Sequence, residues 1–297
     1  MIGPLQTLLV ELERDPSWQA PERLRERIEA LDRIERALLY LPTAAAGNLD
    51  PNRSLLDRAQ ALQARLETIN QDVYRDLRED LRSGAGAGRL LRYASDGVAL
   101  DDADGDAYDH LDALLSEVLQ FEPPRDDAIE PAAEMVFYQP TPARQIFALI
   151  ARLHLDANDL LIDLGAGLGH LPLAVAACTP ARSLGVELEA AYVEIARRSA
   201  RGLNLDRVDF IQADARAADL SAGTVFYLYT PFTGSVLRSV LDTLRGIALA
   251  RPIRVCTLGP CTSVIAAEPW LRSDDDLRGD RIVVWSSILM PGGLSRA

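Results

Sequence analysis

The chain has 297 residues, 48% of them hydrophobic, which is long and apolar enough for a full α/β domain plus a smaller unit and argues against wholesale disorder. All 31 basic residues are Arg, so a Schiff-base lysine, a lysine general base and a phosphate-loop lysine are excluded at once. The net charge of −13 is concentrated in residues 101–150, which carry −10, and this disfavours nucleic-acid phosphates as a default partner.

The opening, MIGPLQTLLVELERD, lacks a basic region and soon turns acidic, unlike a signal peptide. No apolar run approaches the roughly 20 residues needed to span a bilayer. The three cysteines Cys178, Cys256 and Cys261 fit no common zinc spacing and read as reduced, buried thiols. A cytoplasmic protein without a metal centre is expected.

Residues 1–83 read as helices. Leu24, Ile28, Leu31, Ile34, Leu38 and Leu41 recur at spacings of three and four, and Leu55, Ala59, Leu62, Leu66, Ile69, Val73, Leu77 and Leu81 form a second stripe. Single apolar stripes on long charged helices bury against one another, so an antiparallel helical hairpin turning within 41–54 is expected, serving as a cap or a dimerisation arm or, alternatively, in substrate recognition. SGAGAG (83–88) ends the second helix as a hinge. DDADGDAYDHLD (101–112) places Leu100 and Leu111 where a calcium loop needs carboxylates, so a solvated acidic loop before a helix over 108–121 is the expectation.

EPPRDDAIEP (122–131) reads as a linker, which gives a helical domain at 1–121 and a second domain at 122–297. Beyond it, Thr141 is expected to N-cap a helix opened by Pro142. Strand-like runs follow at 160–165, 181–187, 208–214, 224–229, 253–259 and 281–287, with helical stretches at 171–178, 190–202 and 235–249. That alternation predicts an α/β fold, a mainly parallel sheet covered on both faces.

The chemistry is concentrated in LLIDLGAGLGHLPLAVAA (160–177). A buried strand ends at Asp163, a turn holds Gly165, Ala166, Gly167 and Gly169, and an apolar helix follows. Glycines there let the backbone turn sharply and approach a ligand at the carboxyl ends of the strands. The dinucleotide fingerprint requires its third glycine at position 170, which is His170, and no G-K-[ST] follows for a phosphate loop. Glu187 closes the next strand, 22 residues after Gly165, where a carboxylate can accept hydrogen bonds from both hydroxyls of a ribose. His170 reads as a packing or capping residue, and His110 and His154 as ordinary helix residues.

This pattern of acidic-x-G-x-G-x-G followed by Glu187 resembles the class I S-adenosylmethionine-dependent methyltransferases. The resemblance covers about 130–260 and implies a Rossmann-like, seven-stranded, mostly parallel sheet with S-adenosylmethionine at the glycine turn. It implies further that Asp214, with Ala215 beside it, borders the adenine, and that Tyr138 and Thr141 close over the methionine part. The loop Tyr229, Thr230, Pro231, Phe232 would border the sulfonium methyl, with Tyr229 and Thr230 orienting the acceptor and Tyr229 and Phe232 walling the channel. Amino-methyltransferases of nucleic acid have Asn or Asp, then Pro-Pro-Tyr/Phe, at this place, and Tyr229 and Thr230 depart from that. Y-x-P-T-P (138–142), DLGAGLGH and YTPF together resemble a bacterial branch with distant similarity to the non-SET histone-lysine methyltransferases.

Methyl transfer to a protein side chain or a small-molecule nucleophile is thus the expected function, with nucleic acid a third choice of acceptor. A non-catalytic S-adenosylmethionine-binding regulatory protein is the alternative, and a nucleotide-dependent oxidoreductase stands behind it.

Overall fold

The computed structural model describes residues 4–40, 53–95, 107–121, 135–136 and 138–288. Residues 41–52 of the expected turn, 101–106 of the acidic loop and the linker at 122–131 lie outside the described residues. Among those described, no helix is long and apolar enough to cross a membrane.

The chain divides into two compact units, 1–77 and 78–297. This division falls upstream of the expected boundary between 121 and 122.

The first unit comprises α1 (Pro4–Arg14), α2 (Leu24–Leu39) and most of α3 (Arg53–Arg82). Leu5, Leu8, Leu9 and Leu12 of α1 join Trp18, Ala30, Ile34, Ala59, Leu62 and Leu66 in one core. The stripes of α2 and α3 are therefore buried together, with α1 as a third member. Arg27, fully buried near the start of α2, donates to Asn70 Oδ1 far along α3 (2.6 Å) and to the carbonyls of Trp18 (2.8 Å), Ala20 (2.5 Å) and Pro21 (3.0 Å).

In the second unit, SGAGAG forms a tight turn. Gly84 has φ +79°, the amides of Gly84 and Ala85 return to Leu81 and Asp80, and α4 (Ala87–Ser95) starts at once. Next come α5 (His110–Leu119) and α6 (Ala143–Leu153). Thr141 does not cap α6. The first amide of that helix, Ala143 N–H, donates to the Asp112 carboxylate on α5 (2.8 Å), and the Thr141 hydroxyl bonds Tyr227 Oη instead (2.8 Å).

The sheet then builds in alternation: β1 (Leu160–Leu164), α7 (His170–Cys178), β2 (Arg182–Glu187), α8 (Ala190–Gly202), β3 (Val208–Gln212), β4 (Val225–Leu228), α9 (Gly234–Ala250), β5 (Arg254–Thr257), α10 (Cys261–Ile265), β6 (Leu271–Arg272) and β7 (Val283–Ser287). The seven strands lie in the order β3-β2-β1-β4-β5-β7-β6, parallel except for β7, which pairs antiparallel with β5 and β6. This is the expected Rossmann-like architecture, and the order reverses at β1, flanked by β2 and β4. Ligands in such sheets sit beyond the strand carboxyl ends at that reversal. From Leu171 to Ala177, α7 is buried on every side, as its unbroken apolar sequence requires.

Candidate functional site

The turn after β1 is shaped by glycines that nothing else can replace. Gly165 has φ +86°, and a Cβ on it would lie 2.2 Å from the Pro231 Cβ. Gly167 has φ +53°, and a Cβ there would lie 2.1 Å from the Tyr138 ring. Backbone bonds fix the turn on β2: the amides of Gly165 (2.9 Å) and Ala166 (3.1 Å) both donate to the Val186 carbonyl. Ala166 itself is buried, and Gly169 opens α7 as its cap residue.

Three carboxylates stand at the ends of β1, β2 and β3, each in a different state. Asp163, near the end of β1, is 5% exposed. Burial, with the Glu187 charge adding to it, raises its pKa well above the usual carboxylate range. Glu187 is buried and folded onto the backbone: Oε2 accepts from Gly167 N–H (2.8 Å), and Oε1 from Leu188 (2.6 Å) and Glu189 (2.9 Å). It therefore ties the glycine turn to the start of α8. Asp214 is half-exposed, accepts from the Arg216 amide (2.9 Å) and pairs with its guanidinium (2.6 Å), which holds its carboxyl below the usual range. Ala215, half-buried, packs on the core beside it.

The segment before α6 runs against the YTPF loop. Met135 and Phe232 form an antiparallel bridge, and Val136 N–H donates to the Pro231 carbonyl (3.2 Å). Thr230 has φ +40°, a left-handed conformation that is unfavourable for a β-branched residue and is concentrated at functional loops. Its hydroxyl holds the strained loop, donating to the Leu258 carbonyl (2.9 Å) and accepting from Cys261 N–H (3.1 Å). Tyr229 is half-buried, with its ring edge near Gly259. Phe232 is 2% exposed and belongs to the apolar core on the α9 side of the sheet, so it packs inward.

Four rings gather over the turn, and two of them, Phe121 and Tyr192, are unmarked in the sequence. The Tyr138 hydroxyl meets His170 Nδ1 (3.2 Å), the Tyr138 ring lies 5.2 Å from that of Tyr192, and Phe121 lies 4.2 Å from His170. Burial lowers the His170 pKa to about 4, so the imidazole is neutral at pH 7. Tyr192 carries one available signal, its place in the first turn of α8 just after Glu187; Phe121 carries none, because its contact with His170 is set by the packing of α5. Among the described residues no group of His, Cys, Asp and Glu is arranged to hold a metal ion.

The site suits a cationic nucleoside. A buried carboxylate at the end of β1 provides for a positive group, and the left-handed glycine turn presents bare backbone beside it. Residues 161–245 match the family model of the methyltransferase domain. Solved structures that resemble the chain include an RNA methyltransferase from Salinibacter ruber in complex with S-adenosyl-L-homocysteine, at 25% identity over 53% of this chain and 98% of that one (TM-score 0.39). Others are TrmN from Thermus thermophilus, at 21% over 49% and 48% (0.38), and precorrin-6Y C5,15-methyltransferase from Geobacter metallireducens, at 15% over 55% and 95% (0.38). The chain spans about half the length of TrmN. At such TM-scores none of them bears on the acceptor. No curated protein matches the chain. The family model does not single out the branch similar to the histone-lysine enzymes. The matched domain, the sheet order and the glycine turn between Asp163 and Glu187 are together those of a class I S-adenosylmethionine-dependent methyltransferase domain, matched over residues 161–245.

Proposed function

We propose that the protein is a cytoplasmic enzyme that methylates a small-molecule nucleophile or a protein side chain. The observation that carries this reading is the contact between the cofactor turn and the acceptor-side loop, Gly165 against Pro231. S-adenosylmethionine, when bound, supplies a methyl group on a sulfonium, which departs as a neutral thioether once an acceptor lone pair takes the methyl. The protein's own part is positioning and exclusion of water, and orientation alone is worth roughly 7–11 kcal/mol of barrier.

In this reading Asp163 receives the ammonium of the methionine part, and Gly165, Ala166, Gly167 and Gly169 line it. Glu187 has three of its roughly four acceptor sites occupied by backbone amides, so it keeps one for a ribose hydroxyl while holding the turn in shape. Asp214 and Ala215 border the adenine, with Arg216 shared between the carboxylate and the base. Tyr138 closes over the turn, while Thr141 supports it from behind through Tyr227. Tyr229 faces the acceptor. Thr230, Pro231 and Phe232 set the height of that loop, Thr230 through the two bonds that hold its strained backbone.

The engagement of the Thr230 hydroxyl elsewhere favours one second reading, a cofactor-binding regulatory protein without transfer. Calorimetry with S-adenosylhomocysteine, followed by labelled methyl transfer from S-adenosylmethionine to small molecules and to protein extract, separates them. Binding with transfer supports the enzyme, and tight binding without transfer supports the regulator. The helices of the first unit serve, in the same proposal, as an arm for homodimer formation.

A further inference from the structure

Tyr138 is bound to the glycine turn by its hydroxyl as well as by its ring. Two ring carbons cover Gly167, where a Cβ would lie 2.1 and 2.5 Å from them, and the Gly167 amide is itself held by Glu187 (2.8 Å). The phenol oxygen stands 3.2 Å from His170 Nδ1, and the Leu168 amide donates toward the same oxygen. With that amide on its oxygen, the phenol gives its own proton to the imidazole, so Nδ1 is the acceptor and the ring proton sits on Nε2.

His170 suits that part. It is the first residue of α7 but does not cap the helix, since Gly169 is the cap residue and no side chain serves there. Burial lowers its pKa to about 4, and a neutral ring is what the bond requires. An imidazolium has no acceptor and would set a positive charge beside a site for a cationic ligand. The imidazole is braced by Phe121, with ring centroids 4.2 Å apart, and the Tyr138 ring by Tyr192 at 5.2 Å.

We propose that His170 is a positioning residue for the cofactor: by accepting the Tyr138 phenol proton at Nδ1 it fixes the ring that walls the glycine turn. The inference rests on the reading of that turn as the S-adenosylmethionine site, and it adds a residue that acts through Tyr138. With the bond made, the ligand meets a wall already in place. Without it, Tyr138 has to be ordered as the ligand binds, at a cost in affinity.

The test uses the whole chain and sets hydrogen bonding against packing. His170→Phe keeps a ring against Phe121 and removes the acceptor. His170→Asn gives up the ring and offers an amide oxygen close to the place of Nδ1, while Tyr138→Phe removes the donated proton. Calorimetry with S-adenosylhomocysteine is expected to show affinity about five- to tenfold weaker in His170→Phe and in Tyr138→Phe, no weaker again in the double variant, and largely recovered in His170→Asn. Nitrogen-15 NMR of the histidines should show in the wild type an unprotonated, hydrogen-bonded Nδ1 whose signal moves in Tyr138→Phe, which packing alone would not produce. Tyr138 is 37% exposed, so Tyr138→Phe reads the bond even where His170→Phe does not fold. Wild-type affinity in Tyr138→Phe, or effects of the two phenylalanine variants that add in the double variant, overturn the inference and leave the cofactor reading intact. Normal affinity in His170→Phe with loss in His170→Asn, the pattern of a packing residue, overturns it as well. A wild type that does not bind S-adenosylhomocysteine overturns the cofactor reading and the inference with it.

Discussion

Gly165 and Pro231 stand so close that a single added methyl on the glycine would lie 2.2 Å from the proline Cβ. The cofactor turn after β1 and the loop after β4 are thus built as one contact, and a change in either must move the other. Gly165→Ala adds left-handed strain to that clash. It is expected to weaken S-adenosylhomocysteine binding at least tenfold, about 1.4 kcal/mol, and Pro231→Gly in the same chain should restore part of it. Calorimetry on the two single variants and the double variant reads the coupling directly.

Asp163→Asn separates folding from binding. The raised pKa of Asp163 means that its contribution to stability is present below the unfolded carboxylate value and is lost as pH rises through the folded value. At pH 8 the asparagine variant should therefore be at least as resistant to urea as the wild type, while S-adenosylhomocysteine binding falls. Wild-type binding at a pH below the folded value of Asp163 should release a proton, seen as a binding enthalpy that differs between phosphate and Tris. Equal enthalpies after buffer correction, with unchanged affinity in the variant, would remove Asp163 from the site.

His170 titrates the other way. Its folded pKa of about 4 lies below the ordinary imidazole value, so the stability it gives is present above about 6.5 and is lost as pH falls toward 4. Histidine NMR should show one imidazole still neutral at pH 5.5. His170→Asn should flatten the loss of thermal stability between pH 6.5 and 4 relative to wild type.

Thr230 offers a comparison of hydroxyl against shape. Thr230→Ser keeps both loop bonds and should be near wild type. Thr230→Val leaves the Leu258 carbonyl and the Cys261 amide without that partner and should lose about 1–3 kcal/mol in urea unfolding. An equal stability for the two variants would show that the bonds do not hold the loop.

In the first unit, Arg27→Met removes a buried guanidinium that satisfies three carbonyls and an amide oxygen. A loss of about 3–5 kcal/mol is expected for breaking a buried charged network. It should appear in the helical signal, with S-adenosylhomocysteine binding as the control readout.

Much of the second unit was legible because its constraints are local. Gly165 and Gly167 announce a positive φ in the sequence, and runs such as LLIDL can only be buried strands. The boundaries of α8 agree to the residue with the pattern, since Glu187 and Gly202 bracket one amphipathic stretch. What the sequence could not carry were relations across the chain. Thr141 has the chemistry of a helix cap, yet Tyr227, 86 residues away, takes its hydroxyl and Asp112 does the capping. Phe232 looks like a channel wall and is core, because the bridge with Met135 covers it. β6 is two residues long and held only by β7, too short for any periodicity to show.

The two free edges of the sheet are both poor templates for strand addition. At one edge, β6 offers only Leu271 and Arg272 as a template. At the other, the outward groups of Phe210 on β3 are occupied by side chains: its carbonyl accepts from Arg197 Nε (3.0 Å) and Nη2 (2.6 Å), and its amide donates to the Asp209 carboxylate (2.8 Å). Both edges thus offer a neighbouring strand a shortened or interrupted template, which disfavours edge-to-edge pairing of folded molecules.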